Sequence, residues 1–283
     1  MEVVLKNKKD FQHFIITRFN LKNADWTKDK NSGTILNKQW LDFRYNLFVK
    51  YCLPSLKNQT NQNFIWLVYF DINTPKKYKE INKKISRDFK NFIPVYKASN
   101  KLFLKELSSD ILKVSKNIYN YFITTRIDND DAFHLNTINV IQNQFSNQER
   151  QLINLPLIYS LNLKNKLLRK RIALSNPFIS LIELNKTNKL ETVFKKNHYE
   201  WQYQNNVFNL EDNEVYCLQI IHNRNLINTL IGKLVADNHL GEKFGNNFNI
   251  ISFNYFETLK ISLINKIQKI KQFLKIIIKW LKI

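Results

Sequence analysis

The chain has 283 residues, of which 44% are hydrophobic, so it can form one large domain or two small ones and bulk disorder is disfavoured. Lys and Arg outnumber Asp and Glu by 44 to 23, and the formal net charge of +21 indicates an anionic partner such as a phosphorylated substrate, an anionic lipid or a nucleic acid. Only four glycines are present, and none lies in a P-loop or dinucleotide-binding pattern, so any bound phosphate must be held largely by side chains or metal.

The number of cysteines and the hydropathy of the chain indicate in which cellular compartment the protein is expected. Cys52 and Cys217 are too few for a disulfide framework, which fits a reducing cytoplasm. The first ten residues lack the apolar core of a signal peptide. No segment approaches the run of about 18 apolar residues that a membrane span requires. We therefore expect a cytoplasmic protein.

The first half of the chain alternates between strand and helix patterns. Residues 14–16 predict a short strand, and the polar residues 20–38 predict a loop. Apolar residues at helical spacing predict a helix over residues 40–56. Residues 64–70 are almost wholly apolar, which is typical of a strand covered on both faces in a parallel sheet, and this strand ends at Asp71.

The alternation continues to residue 123. Residues 76–89 predict a helix, 93–96 a short strand, 102–117 a second helix, and 118–123 an apolar, aromatic strand. This order predicts an α/β fold with a mostly parallel central sheet. In such sheets ligands bind beyond the carboxyl ends of the strands, so the residues that follow these strands are candidates for a site.

Three carboxylates, Asp128, Asp130 and Asp131, directly follow the strand at 118–123. Their mutual repulsion is unfavourable unless a cation or strong hydrogen-bond donors occupy the gap between them. Oxygen ligands suit a hard divalent ion such as Mg²⁺ or Mn²⁺, and such an ion keeps positions open for phosphates. The cluster predicts a metal-bridged diphosphate site, with an exposed turn that caps the next helix as the alternative.

The second half of the chain is less regular until its end. Residues 152–158 and 168–174 predict strands, and residues 211–222 predict a helix. From residue 256 onward, apolar side chains recur at steps of three and four, which predicts a helix with one apolar stripe. Seven lysines flank the stripe and no acidic residue follows Glu257. We expect this tail to bind an anionic membrane surface, with packing on its own domain or on a partner helix as the alternative.

Five stretches carry a resemblance to a known family, and they occur at residues 13–20, 40–60, 124–132, 176–183 and 218–225. The second includes a Ser-Leu-x-x-Gln-Thr string before an apolar strand, and the third includes Asp-x-Asp-Asp at a strand end. In this order they resemble the putative rhamnosyltransferase family, within the nucleotide-sugar glycosyltransferases of the glycosyltransferase A fold.

The resemblance implies a catalytic domain of the glycosyltransferase A type over residues 1–250, followed by the basic tail at 251–283. It implies transfer of a sugar, rhamnose or another hexose, from a nucleotide-diphosphate donor to a hydroxyl of a glycan or lipid-linked acceptor. Mn²⁺ or Mg²⁺ is the implied cofactor. The implied setting is bacterial surface-polysaccharide synthesis at the inner face of the cytoplasmic membrane.

The same resemblance implies residues that bind the nucleotide sugar. Asp71 would lie near the base of the donor, Asp128 near its ribose, and the remaining three would line the nucleotide pocket: Thr17, Arg18 and Arg126. The alternatives are a turn at Asp71 and ordinary ion pairs for the two arginines.

The metal would be held by Asp128, Asp130, Asp131 and His222, the last as a late contact to metal or diphosphate. A buried, hydrogen-bonded core histidine is the alternative for His222.

An inverting transfer needs a general base to take the proton of the acceptor hydroxyl. The resemblance favours Asp212, in a Glu-Asp pair, although only nine residues separate it from His222, and Glu183 is the rival. For Asp212 the alternative is a charge at a helix N-terminus.

A different class of function is also compatible with the charge of the chain, namely a basic nucleic-acid-binding protein with a nuclease-like acidic metal site. The lysines are not gathered into one groove-like motif, and no zinc, helix-turn-helix or RNA-binding signature is present. Nucleic acid is therefore not the expected partner.

Overall fold

The computed structural model describes residues 10–23, 36–116, 118–174, 176–225, 231–246 and 248, together with six isolated positions between 260 and 270. Within these residues, no helix combines the length and the hydropathy needed to cross a membrane. Most of the predicted tail helix lies outside the described residues. The isolated positions that are described there are helical and exposed, and they include Leu263, Ile267 and Ile270.

The helices of the described chain cluster in its first half. Their bounds are α1 Lys38–Leu47, α2 Leu53–Lys57, α3 Lys76–Asp88, α4 Asn100–Val114, α5 Thr137–Gln142 and α6 Leu240–Lys243. A π-helical turn, Phe48–Cys52, joins α1 to α2, and a 3-10 helix covers His198–Tyr203. The helix predicted over 40–56 is thus one continuous helical region with a local bulge, and those predicted over 76–89 and 102–117 are α3 and α4.

Twelve strands are described. Their bounds are β1 Phe11–Arg18, β2 Ile65–Asp71, β3 Phe92–Lys97, β4 Tyr121–Arg126, β5 Ala132–Phe133, β6 Arg150–Asn154, β7 Leu157–Asn162, β8 Leu168–Ile172, β9 Ser180–Leu184, β10 Val207–Asn209, β11 Cys217–Ile221 and β12 Lys233–Val235. The single strand predicted over 152–158 is divided between β6 and β7, with Pro156 in the break, because proline cannot donate to a sheet.

The central sheet has the strand order β10-β6-β9-β4-β1-β2-β3. Strands β4, β1, β2 and β3 run parallel, whereas β9 runs antiparallel to both β4 and β6. Six of the seven residues of β2 are buried, as its apolar composition predicts for a strand covered on both faces. The predicted α/β class with a mostly parallel central sheet is confirmed.

Helices cover both faces of the parallel strands. On one face, Phe48 of the π-helical turn packs against Trp66 of β2 and Phe19 after β1. On the other face, Phe103 of α4 packs edge-on against Tyr69 of β2. The period-two alternation of β2 thus sends neighbouring residues into two separate apolar clusters, which is why the strand is apolar throughout.

A second sheet has the order β12-β8-β7-β11-β5, with β11 parallel to β7 and antiparallel to β5. The helix predicted over 211–222 is wrong. Residues 217–221 are all buried between two neighbouring strands, and this cross-strand burial outweighs the helical spacing of the apolar residues. The change matters for the site because His222 lies at the end of a strand instead of on a helix.

Candidate active site: an arginine-lined pocket

A cavity of about 250 Å³ opens at the carboxyl ends of the parallel strands. Strand β1 ends at Arg18 and β4 ends at Arg126, and the register pairs Ile16 with Arg126, so both arginines lie at the same edge of the sheet. The charged side chains in the lining are Arg18, Arg44, Arg126, Arg224, Asp128 and Asp130. The site therefore lies where ligands bind in open α/β sheets.

Asp130 is held from two sides by residues that are distant in sequence. Arg44 of α1 contacts both carboxylate oxygens, with Nη1 2.5 Å from Oδ2 and Nη2 3.0 Å from Oδ1. Nη2 also donates to Oδ1 of Asn129. His222, which follows β11, places Nε2 2.9 Å from Oδ2. This bidentate, charge-assisted contact is the strong type of ion pair.

The environment of Asp130 keeps its carboxylate ionised. Burial raises the pKa of Asp130, but the charge of Arg44 and the hydrogen bond from His222 outweigh burial and hold that pKa at about 2. Asp130 and its neighbour Asp131 are both almost fully buried. The alternative of an exposed helix-capping turn is therefore wrong.

A second ion pair forms the adjoining wall. Arg126 donates through Nη2 to Asp128, 3.2 Å from Oδ1 and 3.4 Å from Oδ2. The guanidinium groups of Arg126 and Arg18 lie 5.5 and 5.1 Å from the ring centroid of Phe194. Burial and the charge of Arg126 lower the pKa of Arg18 to about 10, against the opposing effect of Asp128. Two like-charged guanidiniums on one ring leave this wall suited to an anion.

Three of the predicted site residues lie behind the pocket wall. Thr17 donates from Oγ1 to the carbonyl of Ile127 and accepts from the indole of Trp66, so it joins β1 and β2 to the end of β4. Asp131 accepts the backbone N–H of Ile220 at 2.9 Å. This bond joins residues 128–131, the acidic turn, to β11 and thereby brings His222 beside Asp130. Neither Thr17 nor Asp131 lines the pocket.

Asp71 is the third of these predicted residues, and it forms part of the turn after β2. Its Oδ1 accepts the backbone N–H of Asn73, and its carbonyl accepts from Thr74, which matches the turn alternative. Its backbone N–H donates to Asn20, a residue of the pocket lining. Among the described residues, Asn20 thus links Asp71 to the pocket, and the predicted role of Asp71 near the base of the donor stays a prediction.

The predicted metal ligands do not fit a divalent cation in this arrangement. Arg44 contacts both oxygens of Asp130, and Arg126 contacts both oxygens of Asp128. Asp131 lies off the pocket, and burial together with the charges of the other two aspartates raises its pKa well above the ordinary value. Within the described residues, no three His, Cys, Asp or Glu side chains are grouped as a metal site. The strong donors between these carboxylates are arginines, so the predicted Mn²⁺ or Mg²⁺ site is not assembled.

The family model for putative rhamnosyl transferases matches residues 12–226, which is most of the chain. The chain belongs to this family. The match runs from the second residue of β1 past the end of β11, and it includes every residue of the acidic turn. The description of this family concerns sugar transfer and not nucleic acid.

Solved structures also resemble the fold of this chain at a distance. The S. aureus TarS fragment 1–349 in complex with UDP-GlcNAc is 12% identical, with 76% of this chain and 60% of that chain covered and a TM-score of 0.42. A putative nucleotide-diphospho-sugar transferase from Desulfovibrio desulfuricans G20 is 6% identical, with 77% and 84% covered and a TM-score of 0.39. The chain thus spans about three-fifths of the TarS fragment. No curated relative matches the sequence.

Neither predicted general base of the transferase lies in the pocket. Asp212 precedes β11 and accepts hydrogen bonds from the hydroxyl of Tyr216 and the backbone N–H of Glu214. Glu183 of β9 pairs with Phe122, four residues before the end of β4, which places it about 13 Å along the strand from Arg126. The role of either residue as the general base therefore stays a prediction, since a local Glu-Asp motif carries no information on which strand end a residue reaches.

Glu183 contacts the backbone of the loop that follows β9. Its carboxylate accepts the backbone N–H groups of Glu191 and Thr192 at 2.6 and 3.0 Å, fixing the loop after β9. Burial raises its pKa to about 7 against these two hydrogen bonds. The folded state therefore binds the Glu183 proton more tightly than the unfolded chain, and this stabilisation is complete at low pH and is lost as pH rises to 7.

We expect Glu183→Gln to retain transferase activity while it changes the pH dependence of stability. Between pH 8 and pH 5 the free energy of unfolding of the wild type should rise by about 2 kcal/mol relative to the variant, because only the wild type gains the proton. Urea denaturation at several pH values measures this difference. A loss of activity with a parallel stability profile would return Glu183 to the catalytic candidates.

Arg44 and His198 are among the pocket residues that the sequence did not indicate. Arg44 lies on α1 between the buried positions Leu41 and Tyr45, and a basic residue so placed is a weak signal of a buried ion pair. His198 begins the 3-10 helix and joins the lining beside Asn197. Its local sequence, with two preceding lysines, resembles an exposed segment, so no local signal identifies it.

Proposed function

We propose that the protein transfers a sugar from a nucleoside-diphosphate donor to an acceptor hydroxyl and binds the diphosphate in the arginine-lined pocket. The supporting observation is the charge of the lining, in which four arginines face two aspartates. Each aspartate already pairs with one arginine, so the lining keeps a formal surplus of two positive charges. A diphosphate supplies the matching negative charge, and guanidinium groups bind phosphate oxygens with good geometry.

The chemistry of the transfer uses that charge directly. A bond forms between the acceptor oxygen and the anomeric carbon of the sugar, while the bond from that carbon to the diphosphate oxygen breaks. Negative charge then develops on the leaving diphosphate, and guanidinium groups held in place beforehand stabilise it without reorganising. Arg126 is the main residue for this role, because its ion pair with Asp128 and its contact with Phe194 fix its position.

The acceptor hydroxyl would approach from the side of His198. Burial lowers the pKa of His198 to about 4, so its ring is neutral near pH 7 and can accept a hydrogen bond from a hydroxyl group. A protonated ring would instead add a further positive charge beside Arg18 and Arg126. The neutral histidine thus keeps part of the lining suited to an uncharged saccharide.

The proposed sugar, acceptor and cellular setting go beyond the description of the family. The sugar is rhamnose or another hexose, and the acceptor is a glycan or lipid-linked saccharide in bacterial surface-polysaccharide synthesis. The catalytic domain occupies residues 1–250, and the tail occupies 251–283. The proposed transfer uses no divalent cation, because arginines already pair with Asp128 and Asp130.

Thermal denaturation with UDP, dTDP and GDP tests the proposed donor class. At about 100 times its Kd, a matching nucleoside diphosphate should add about 2.7 kcal/mol to the free energy of unfolding. The corresponding nucleoside monophosphates are the matched control, since they lack the second phosphate and should stabilise much less. No stabilisation by any nucleoside diphosphate would contradict the proposal, above all if random DNA bound tightly and with a steep salt dependence.

We place the protein at the inner face of the cytoplasmic membrane through its basic tail. Seven lysines follow residue 259, and each basic residue near an anionic surface contributes on the order of 1 kcal/mol. Deleting residues 256–283 should therefore abolish most co-sedimentation with phosphatidylserine vesicles while donor hydrolysis persists. Phosphatidylcholine vesicles control for charge, and unchanged sedimentation of the shortened chain would refute the membrane role.

A further inference from the structure

Asp130 is the carboxylate of the acidic turn that most resembles a metal ligand, because it lines the pocket and lies beside His222. In this structure, however, the cation against it is Arg44. Each of the two terminal nitrogens of the guanidinium contacts one oxygen of Asp130, and the two side chains are only 13% and 5% exposed. An ion pair so shielded from water is not readily exchanged for another cation.

His222 also presents a donor to Asp130. Its Nδ1 accepts the backbone N–H of Arg224 at 3.1 Å, so the proton of the neutral ring lies on Nε2. Nε2 then donates to Asp130 at 2.9 Å and cannot at the same time bind a metal. It also lies 3.4 Å from Nη1 of Arg44. A divalent ion at this position would face the guanidinium charge and a protonated ring nitrogen together.

We infer that Arg44 takes the place of a divalent cation against Asp130 and that the pocket binds a diphosphate without metal. This inference rests on the proposed function and deepens it. The positive charge of the guanidinium neutralises Asp130 in the way that a bound cation would. The described lining, with four arginines and two aspartates that each pair with an arginine, then keeps a net positive charge towards the diphosphate.

Calorimetric titration with inorganic pyrophosphate and UDP tests this inference on the full chain. Pyrophosphate is the probe of choice because it carries the charge without depending on the unknown base. We expect the affinity in EDTA to differ by less than about threefold from that in Mg²⁺ or Mn²⁺, well below the coupling of linked sites. Binding that is lost in EDTA and restored by Mn²⁺ would overturn the inference and leave the proposed function intact. No binding under either condition would overturn both.

Substitutions of Arg44 give an independent measurement. Arg44→Gln should weaken pyrophosphate binding in EDTA by about 10-fold or more, because the unpaired Asp130 would repel the diphosphate. Mn²⁺ should recover part of this loss, since the carboxylate is then open to a cation. Arg44→Lys, which keeps the charge, should bind more tightly than Arg44→Gln in EDTA. Arg87→Gln is the matched control, because Arg87 is 72% exposed. Equal binding by wild type and Arg44→Gln in EDTA would contradict the inference.

Discussion

Replacing Asp130 with asparagine is expected to lower the free energy of unfolding by about 3–5 kcal/mol, as in other buried ion pairs that lose one partner. The variant leaves the Arg44 guanidinium buried without its counter-ion and replaces one of the two oxygens that accept from Arg44 and His222 with an amide nitrogen. The wild-type pair should also show a pH signature. Because the pKa of Asp130 is depressed to about 2, its stabilisation is complete above the unfolded value of 3.8 and is lost as pH falls towards 2.

Asp128→Asn is the matched control for this experiment. Asp128 belongs to the same turn and also pairs with an arginine, but its side chain is 33% exposed. Its ion pair is screened by water, so we expect a loss of no more than about 1 kcal/mol. Urea denaturation of both variants at pH 7 measures the difference. Equal losses would mean that the buried Arg44 pair contributes no more than the partly exposed one.

Arg126→Gln is expected to lower kcat/KM for the sugar-nucleotide donor by about 100- to 1000-fold, the usual effect of removing one group that stabilises transition-state charge. Arg126 is nearly buried, pairs with Asp128 and lies against Phe194, so its guanidinium is fixed before the donor binds. Turnover with the donor that most stabilises the protein provides the measurement. Most of the loss should lie in kcat, because the charge develops during bond breaking.

The exposed Arg87→Gln variant removes the same charge far from the pocket and should keep wild-type turnover. Arg126→Lys separates charge from geometry, since lysine keeps the charge but cannot bind two oxygens in a fixed fork. We expect it to recover only part of the activity. Wild-type turnover by Arg126→Gln would show that the diphosphate does not bind in this pocket.

Local sequence patterns were sufficient to predict the parallel strands and the helices between them. The continuous apolar run of β2 and the helical spacing of α3 and α4 depend on interactions between near neighbours, and the structure matches them. The same kind of pattern failed at residues 217–221. A short buried run has the same composition in a helix and in a strand, and only its pairing with β7 decides between them.

The acidic turn shows most clearly which features follow from the sequence and which depend on the tertiary structure. Its position after β4 could be inferred along the chain, because a strand end and three neighbouring carboxylates are local features. Its chemistry could not be inferred in the same way, because the residues that contact Asp130 are distant in sequence. Arg44 lies 86 positions earlier and His222 lies 92 positions later. Carboxylates side by side require positive charge in any fold, but whether an ion or an arginine provides it depends on which distant segments pack there. In this protein, the packing of α1 and β11 against the end of β4 places an arginine and a histidine there.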